Sequence, residues 1–137
     1  MSVPDVKHIY TFGYGNRRDY ESLAFYLERY DIALIVDVRL RPRAWSRLWY
    51  GDSIMKFCRS YSTRYVSVPA LGNTSGKSNW IPPDAVRADA ALDKVAAISR
   101  KRNVLLLCAE LKSSRCHRVA VAERVSKLVG ISVMNLT

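Results

Sequence analysis

The chain predicts an α/β fold: a three-layer sandwich in which a mainly parallel sheet of about five strands carries helices on both faces. Two observations carry this reading. Short β-rich runs alternate with stretches of helical period from one end of the 137 residues to the other. Residues 33–38 (ALIVDV) and 104–107 (VLLL) are almost unbroken apolar runs, as expected of strands covered on both faces in a parallel sheet. No repeat, linker or low-complexity segment divides the chain, so residues 1–137 read as one domain.

The elements follow in order. Residues 8–12 (HIYTF) are β-formers that stop at Gly13-Tyr14-Gly15, a first strand. Tyr20, Leu23, Ala24, Leu27 and Tyr30 then share one helical face, with Asp19 placed to cap. The run 33–38 is the second strand, and Pro42 ends its continuation and opens a basic loop. Asp52 is placed to cap a short helix that turns Ile54, Phe57, Cys58 and Tyr61 inward. Residues 65–68 form a third strand, stopped by Pro69. A polar segment, 72–78, leads through Pro82-Pro83 to Asp84, which heads a helix with Ala88, Ala91, Leu92, Val95 and Ile98 on one face. After the strand at 104–107, a last helix over 116–129 ends at Gly130, and 131–136 reads as a fifth strand. Strands joined by helical crossovers make the sheet parallel.

Charge narrows the choice of partner. Lys and Arg number 22 against 12 acids, a net charge of +10, which favours an anionic ligand: DNA, RNA or a nucleotide. Arg39, Arg41, Arg43 and Arg47 crowd one stretch with Trp45, Trp49 and Tyr50. Guanidinium groups beside aromatic faces suit phosphates and stacked bases. No apolar run approaches the roughly 20 residues that span a bilayer, so no membrane partner is expected. Residues 1–7 lack the apolar core of an export signal, and the three cysteines are an odd count. Thiols are the expected state and the cytoplasm the expected compartment.

The unusual polar residues fall where strands end, the edge at which open α/β sheets bind ligands. Gly13-Tyr14-Gly15-Asn16 follows the first strand, Asp37-Val38-Arg39 closes the second, and Leu71-Gly72-Asn73 follows the third. Cys108-Ala109-Glu110 and Cys116-His117-Arg118 bracket the loop after the fourth. Together with Pro42, these motifs resemble the family catalogued as DUF488, a domain of unknown function, in the right order over nearly the whole chain. The Cys-Ala-Glu and Cys-His-Arg pair is the most specific part. The resemblance implies a small α/β domain with a shared polar edge and no settled activity.

Candidate roles follow from chemistry. Cys116 is expected at a helix start, where open backbone N–H groups, Arg115, His117 and Arg118 would favour a thiolate nucleophile. Glu110 emerges into the loop as a candidate general base, or as an ion-pair partner for Arg115 or Arg118. His117 is the third candidate catalytic residue, and Cys108, ending the most apolar strand, fits packing better than chemistry. Asp37 lies in an apolar run and needs a partner; Arg39, two residues on, faces the same side of the strand. Gly13, Tyr14, Asn16, Asp37, Arg39, Arg43, Lys77, Cys108 and Arg118 make up the expected ligand-binding set, flanked by Arg41, Trp45, Arg47 and Trp80.

Several familiar motifs fail. A cysteine phosphatase needs five residues between Cys and Arg, and six separate Cys108 from Arg115. A rhodanese-like sulfur carrier has only broad topology behind it. The cysteines and His117 lack zinc-site spacing, so no metal is expected. The run from Gly72 to Ser78 resembles a phosphate loop, but Leu71 stands at its first glycine and Pro82-Pro83 blocks the helix that should follow. Gly13 and Gly15 suggest a dinucleotide turn, yet Arg18 replaces the third glycine. No cofactor is expected. The leading expectation is a protein that binds or acts on nucleic acid or a nucleotide-like anion at this edge. The alternatives are a thiol-dependent transferase or hydrolase using Cys116, and a non-catalytic nucleic-acid-binding module.

Overall fold

A computed structural model describes residues 7–110 and 116–137. The readings made for Arg115 and for residues 1–6 lie outside the described residues. The strands are β1 (Ile9–Gly13), β2 (Ile32–Asp37), β3 (Arg64–Ser67), β4 (Asn103–Cys108) and β5 (Val133–Asn135). They form one sheet in the order β3-β2-β4-β1-β5, with every pairing parallel. The helices are α1 (Glu21–Arg29), α2 (Gly51–Cys58), α3 (Ala85–Ser99) and α4 (Arg118–Val129). Each strand-to-strand crossover carries one of them, as the alternating pattern requires.

Side-chain alternation along β4 separates the two cores. Val104, Leu106 and Cys108 join α3 and α4 in one cluster, built from Leu92, Val95, Val121 and Val125 among others. Leu105 and Leu107 join α1 and α2 in the other, which holds Leu23, Leu27, Ile54, Phe12 and Trp49. Each fully buried side chain of this size contributes roughly 1.5–3 kcal/mol of transfer free energy. The layers therefore run α3 and α4, sheet, α1 and α2, as expected.

The helix ends test local reading. Asp84 caps α3, accepting from the Arg87 N–H at 3.0 Å, and Gly130 ends α4 at a φ of 69°, a left-handed turn that suits glycine. Asp19 accepts from the Glu21 N–H at 3.0 Å, one residue before the cap position of α1. Asp52 is not a cap. It lies in the first turn of α2, where its carboxylate accepts from the adjacent Ser53 N–H and pairs with Arg47 at 3.7 Å. The last helix starts at Arg118 rather than Cys116, and the fifth strand shortens to β5.

This topology positions the site. The helices after β1 and β2 lie on one face of the sheet, and the helix after β4 lies on the other. Loops from neighbouring strands thus diverge, and a crevice opens on each side of β4.

Candidate functional site

The β4 end forms a common wall. Backbone bonding carries the β1–β4 pairing past the strand ends: Tyr14 N–H donates to Cys108 at 3.2 Å and Gly15 N–H to Ala109 at 2.8 Å. Gly15, at a φ of 55°, then turns the chain away. Gly13 permits this approach, because a Cβ there would lie 1.6 Å from the Glu110 carbonyl oxygen and 2.8 Å from Arg118 Nη1. Its observed role is close packing of two backbones.

On the β2 side lies a cleft of about 570 Å³, lined by Arg39, Asn73, Lys77, Cys108, Glu110, Cys116 and His117 together with Leu40, Gly76, Ser78 and Ala109. Asp37 anchors it from below. Fully buried, it accepts from Arg39 Nε at 2.8 Å and Nη2 at 2.6 Å, and the Tyr65 hydroxyl donates to the same carboxylate. Burial works against the Arg39 charge, but the bonds to Asp37 outweigh it and hold the guanidinium firmly protonated. Burial, reinforced by Asp37, likewise raises the Tyr65 phenol. Arg39 Nη1 reaches the Tyr14 hydroxyl at 3.3 Å and the Arg43 carbonyl at 3.0 Å. The expected Asp37–Arg39 pairing is present, and it braces the loops around it.

His117 is held as firmly. Its Nε2 lies 2.8 Å from the Val38 carbonyl and 3.1 Å from that of Leu71, two acceptors that require Nε2 to carry the proton. Nδ1 is left as an acceptor, 3.9 Å from Cys116 Sγ. Burial lowers the His117 pKa, against the raising effect of those two carbonyls. A neutral imidazole is thus a weak base toward Cys116. Helix α4 gives Cys116 less than expected, since the residue stands ahead of His117, the cap position.

The cysteine chemistry differs from the expectation in a second way. The sulfurs of Cys108 and Cys116 are joined, with Cα atoms 7.2 Å apart. This corrects the reading of all cysteines as thiols, while Cys108 packs in the core as its place in an apolar strand suggested. Cys58 is a free cysteine whose buried thiol is pushed up to about 12. Arg118, fully buried, brings Nη1 to 3.2 Å from Cys108 Sγ and 2.6 Å from the Glu110 carbonyl oxygen. It thus meets the Glu110 main chain, and the Glu110 charge favours its protonated form. Burial lowers its pKa to about 10, so it stays cationic at neutral pH.

On the β1 side, across Ala109 and Glu110, lies a second cleft of about 630 Å³. Tyr14, Asn16, Arg17, Arg18, Trp45 and Trp49 line it. Tyr14 stacks on the buried Trp49 with ring centroids 4.8 Å apart, and the Trp49 indole donates to the Arg17 carbonyl at 2.8 Å. Trp45 stands fully exposed at 107% of its reference area, and Arg18 and Asn16 are exposed beside it.

The structure therefore gathers Arg39, Lys77, Cys108, Glu110, Cys116 and His117 in the first cleft, and Tyr14, Asn16 and Glu110 in the second. Gly13, Asp37 and Arg118 lie buried beneath them. Arg43 lines neither cleft and supplies its carbonyl to Arg39. Tyr65 is the site residue that sequence reasoning missed; only the β2–β3 pairing, which local pattern does not reveal, brings it to Asp37. The segment after Gly72 is tied by its own side chains: Asn73 accepts from the Ser75 and Ile81 N–H groups and donates to the Lys77 carbonyl. Among the described residues, no group of three His, Cys, Asp or Glu side chains converges as a metal site. No helix among them is long and apolar enough to cross a membrane.

No curated protein and no solved structure matches the chain. A family match does cover its greater part, beginning after the Gly13 to Asn16 turn and taking in Asp37, Arg39 and both cysteine motifs. Over residues 19–125 the sequence fits the family described as "Domain of unknown function DUF488", and the chain belongs to it.

Proposed function

We propose that this domain binds an anionic, base-bearing ligand, a nucleotide or a single strand of nucleic acid, in the cleft on the β1 side of the wall. Trp45 carries the proposal. An indole held wholly in solvent at the mouth of a cleft that the exposed Arg18 also lines is a ready stacking platform with a cation beside it. The Arg17 guanidinium, by contrast, is turned to Ser22 and the Phe12 ring. The net charge of +10 would draw such a ligand toward the edge. Arg39 takes no part in phosphate binding on this reading, because Asp37 already neutralises it.

The test is a fluorescence titration with a labelled single-stranded oligonucleotide and with a mononucleotide, at several salt concentrations. Trp45→Ala should weaken oligonucleotide binding by about 1–3 kcal/mol, the usual worth of one stacked base. Equal affinity of the variant and the parent for both ligands would sink the proposal. Tight binding with no turnover of either ligand would make the protein a non-catalytic module. A second reading, acyl or phosphoryl transfer through Cys116, is favoured by the His117 Nδ1 contact at 3.9 Å. The pairing of Cys116 with Cys108 weighs against it.

A further inference from the structure

We infer that Cys108 and Cys116 form a thiol–disulfide exchange couple, in which Cys116 is the sulfur that reacts with an outside thiol and Cys108 the sulfur that leaves and returns. Both cysteines belong to the core cluster packed by α3 and α4, and both also line the first cleft, so the joined sulfurs lie where that core meets the cleft. Their surroundings differ. Cys116 is the more open, at 7% exposure against 2% for Cys108. The Arg118 guanidinium lies 3.2 Å from Cys108 Sγ, on a side chain fully enclosed by the fold. A thiolate formed at Cys108 is therefore born against a cation in a site of low dielectric constant, and a stabilised leaving thiolate departs faster. Cys116 faces the neutral Nδ1 of His117, which can take a thiol hydrogen bond without holding the sulfur as a permanent ion pair.

The exchange balances as follows. The thiolate of an outside thiol attacks Cys116 Sγ, the bond to Cys108 breaks, and Cys108 leaves with the electron pair as a thiolate beside Arg118. The protein now holds a mixed disulfide at Cys116. A second outside thiolate attacks the outside sulfur of that bond, releasing the small disulfide and leaving Cys116 as a thiolate. Both cysteines then take up the protons given up by the two outside thiols. Two thiols are oxidised to one disulfide, and the cysteine pair is reduced. Run backwards, the couple reduces a small disulfide. A cleft of about 570 Å³ with Lys77 on its rim suits a low-molecular-weight thiol carrying a carboxylate. This inference does not rest on the proposed nucleic-acid function, which belongs to the other cleft.

The experiment equilibrates the folded protein in glutathione redox buffers, quenches with acid, alkylates, and reads the peptides by mass. Wild type should pass between a linked Cys108–Cys116 peptide and two alkylated cysteines as the ratio of reduced to oxidised glutathione changes. Cys108→Ser should accumulate glutathione on Cys116, because the returning sulfur is gone. Cys116→Ser should load Cys108 at least about tenfold more slowly. Cys58 is the internal control for folding, since it should resist alkylation until the chain unfolds. Should a serine variant expose Cys58, the wild-type pair is compared with Arg118→Lys and Arg118→Met. Reduction should then slow by about tenfold in the methionine variant and much less in the lysine variant. Absence of the linked peptide under oxidising buffer would overturn the inference. So would equal loading of the two cysteines in the serine variants, or identical reduction rates in the Arg118 series. Failure of oligonucleotide binding would leave these outcomes unchanged.

Discussion

The two clefts differ most in how each uses arginine. In the first, the guanidinium groups point inward: Arg39 is clasped by Asp37 and Arg118 lies beneath Cys108 and Glu110. In the second, Arg18 and Trp45 point outward. Buried arginines hold loops and set the electrostatics of a reactive pair, whereas exposed ones wait for a partner. Counting basic residues along the sequence merges these two uses. Burial and hydrogen bonding separate them.

Asp37→Ala gives the sharpest break in the contrast. Removing one member of a buried, hydrogen-bonded ion pair leaves Arg39 uncompensated, and should cost roughly 3–5 kcal/mol in chemical denaturation. Gly13→Ala comes next. Its methyl group would meet the Glu110 carbonyl, so the wall must move, at a cost of about 1–3 kcal/mol or more with both clefts disturbed. Thermal unfolding of this variant, together with the rate at which glutathione reduces its Cys108–Cys116 pair, would show whether the wall and the cysteine pair move together.

A smaller effect should follow pH. Burial depresses the His117 pKa in the folded chain, so the unfolded chain takes up the proton first as pH falls. The stability this group supports is present above its ordinary pKa of about 6.5 and is lost as pH drops below it. Denaturation midpoints should fall between about pH 7 and pH 5.5, and His117→Gln should flatten part of that slope. The smallest stability effects belong to the second cleft. Trp45→Ala should leave stability within about 0.5 kcal/mol, because the indole is fully exposed. Arg18→Ala should likewise fold normally and reduce the salt slope of oligonucleotide binding by about 0.7 if it meets one phosphate. A large loss of stability in either variant would erase the distinction between the clefts.

What the sequence made legible followed from local rules. The alternating pattern located every strand and helix within a few residues, and two-residue spacing on β2 paired Asp37 with Arg39. Asp84 and Gly130 stood out as helix ends because capping is a local interaction. The strand order was hidden, since it depends on pairings between segments far apart in the chain. Three features of the site were hidden with it: Tyr65 on Asp37, the backbone of Glu110 against Gly13, and the Tyr14–Trp49 stack. Asp52 misled because a carboxylate beside a helix start is a cap only when the backbone turns at that residue, and here the turn falls two residues earlier, at Tyr50. The expectation of free thiols failed because burial at a strand end, which Cys108 shows, does not reveal contact with a second sulfur.

The strip formed by Ala109 and Glu110 faces both clefts at once. A shared partition of this kind would couple the two compartments wherever an occupant displaces it. Any occupant that pushes it toward one side takes room from the other, and the free-energy coupling must be the same whichever compartment is filled first. If an oligonucleotide on the Trp45 side changes the glutathione ratio at which the cysteines open, then opening the cysteines must change the oligonucleotide's affinity by the same factor.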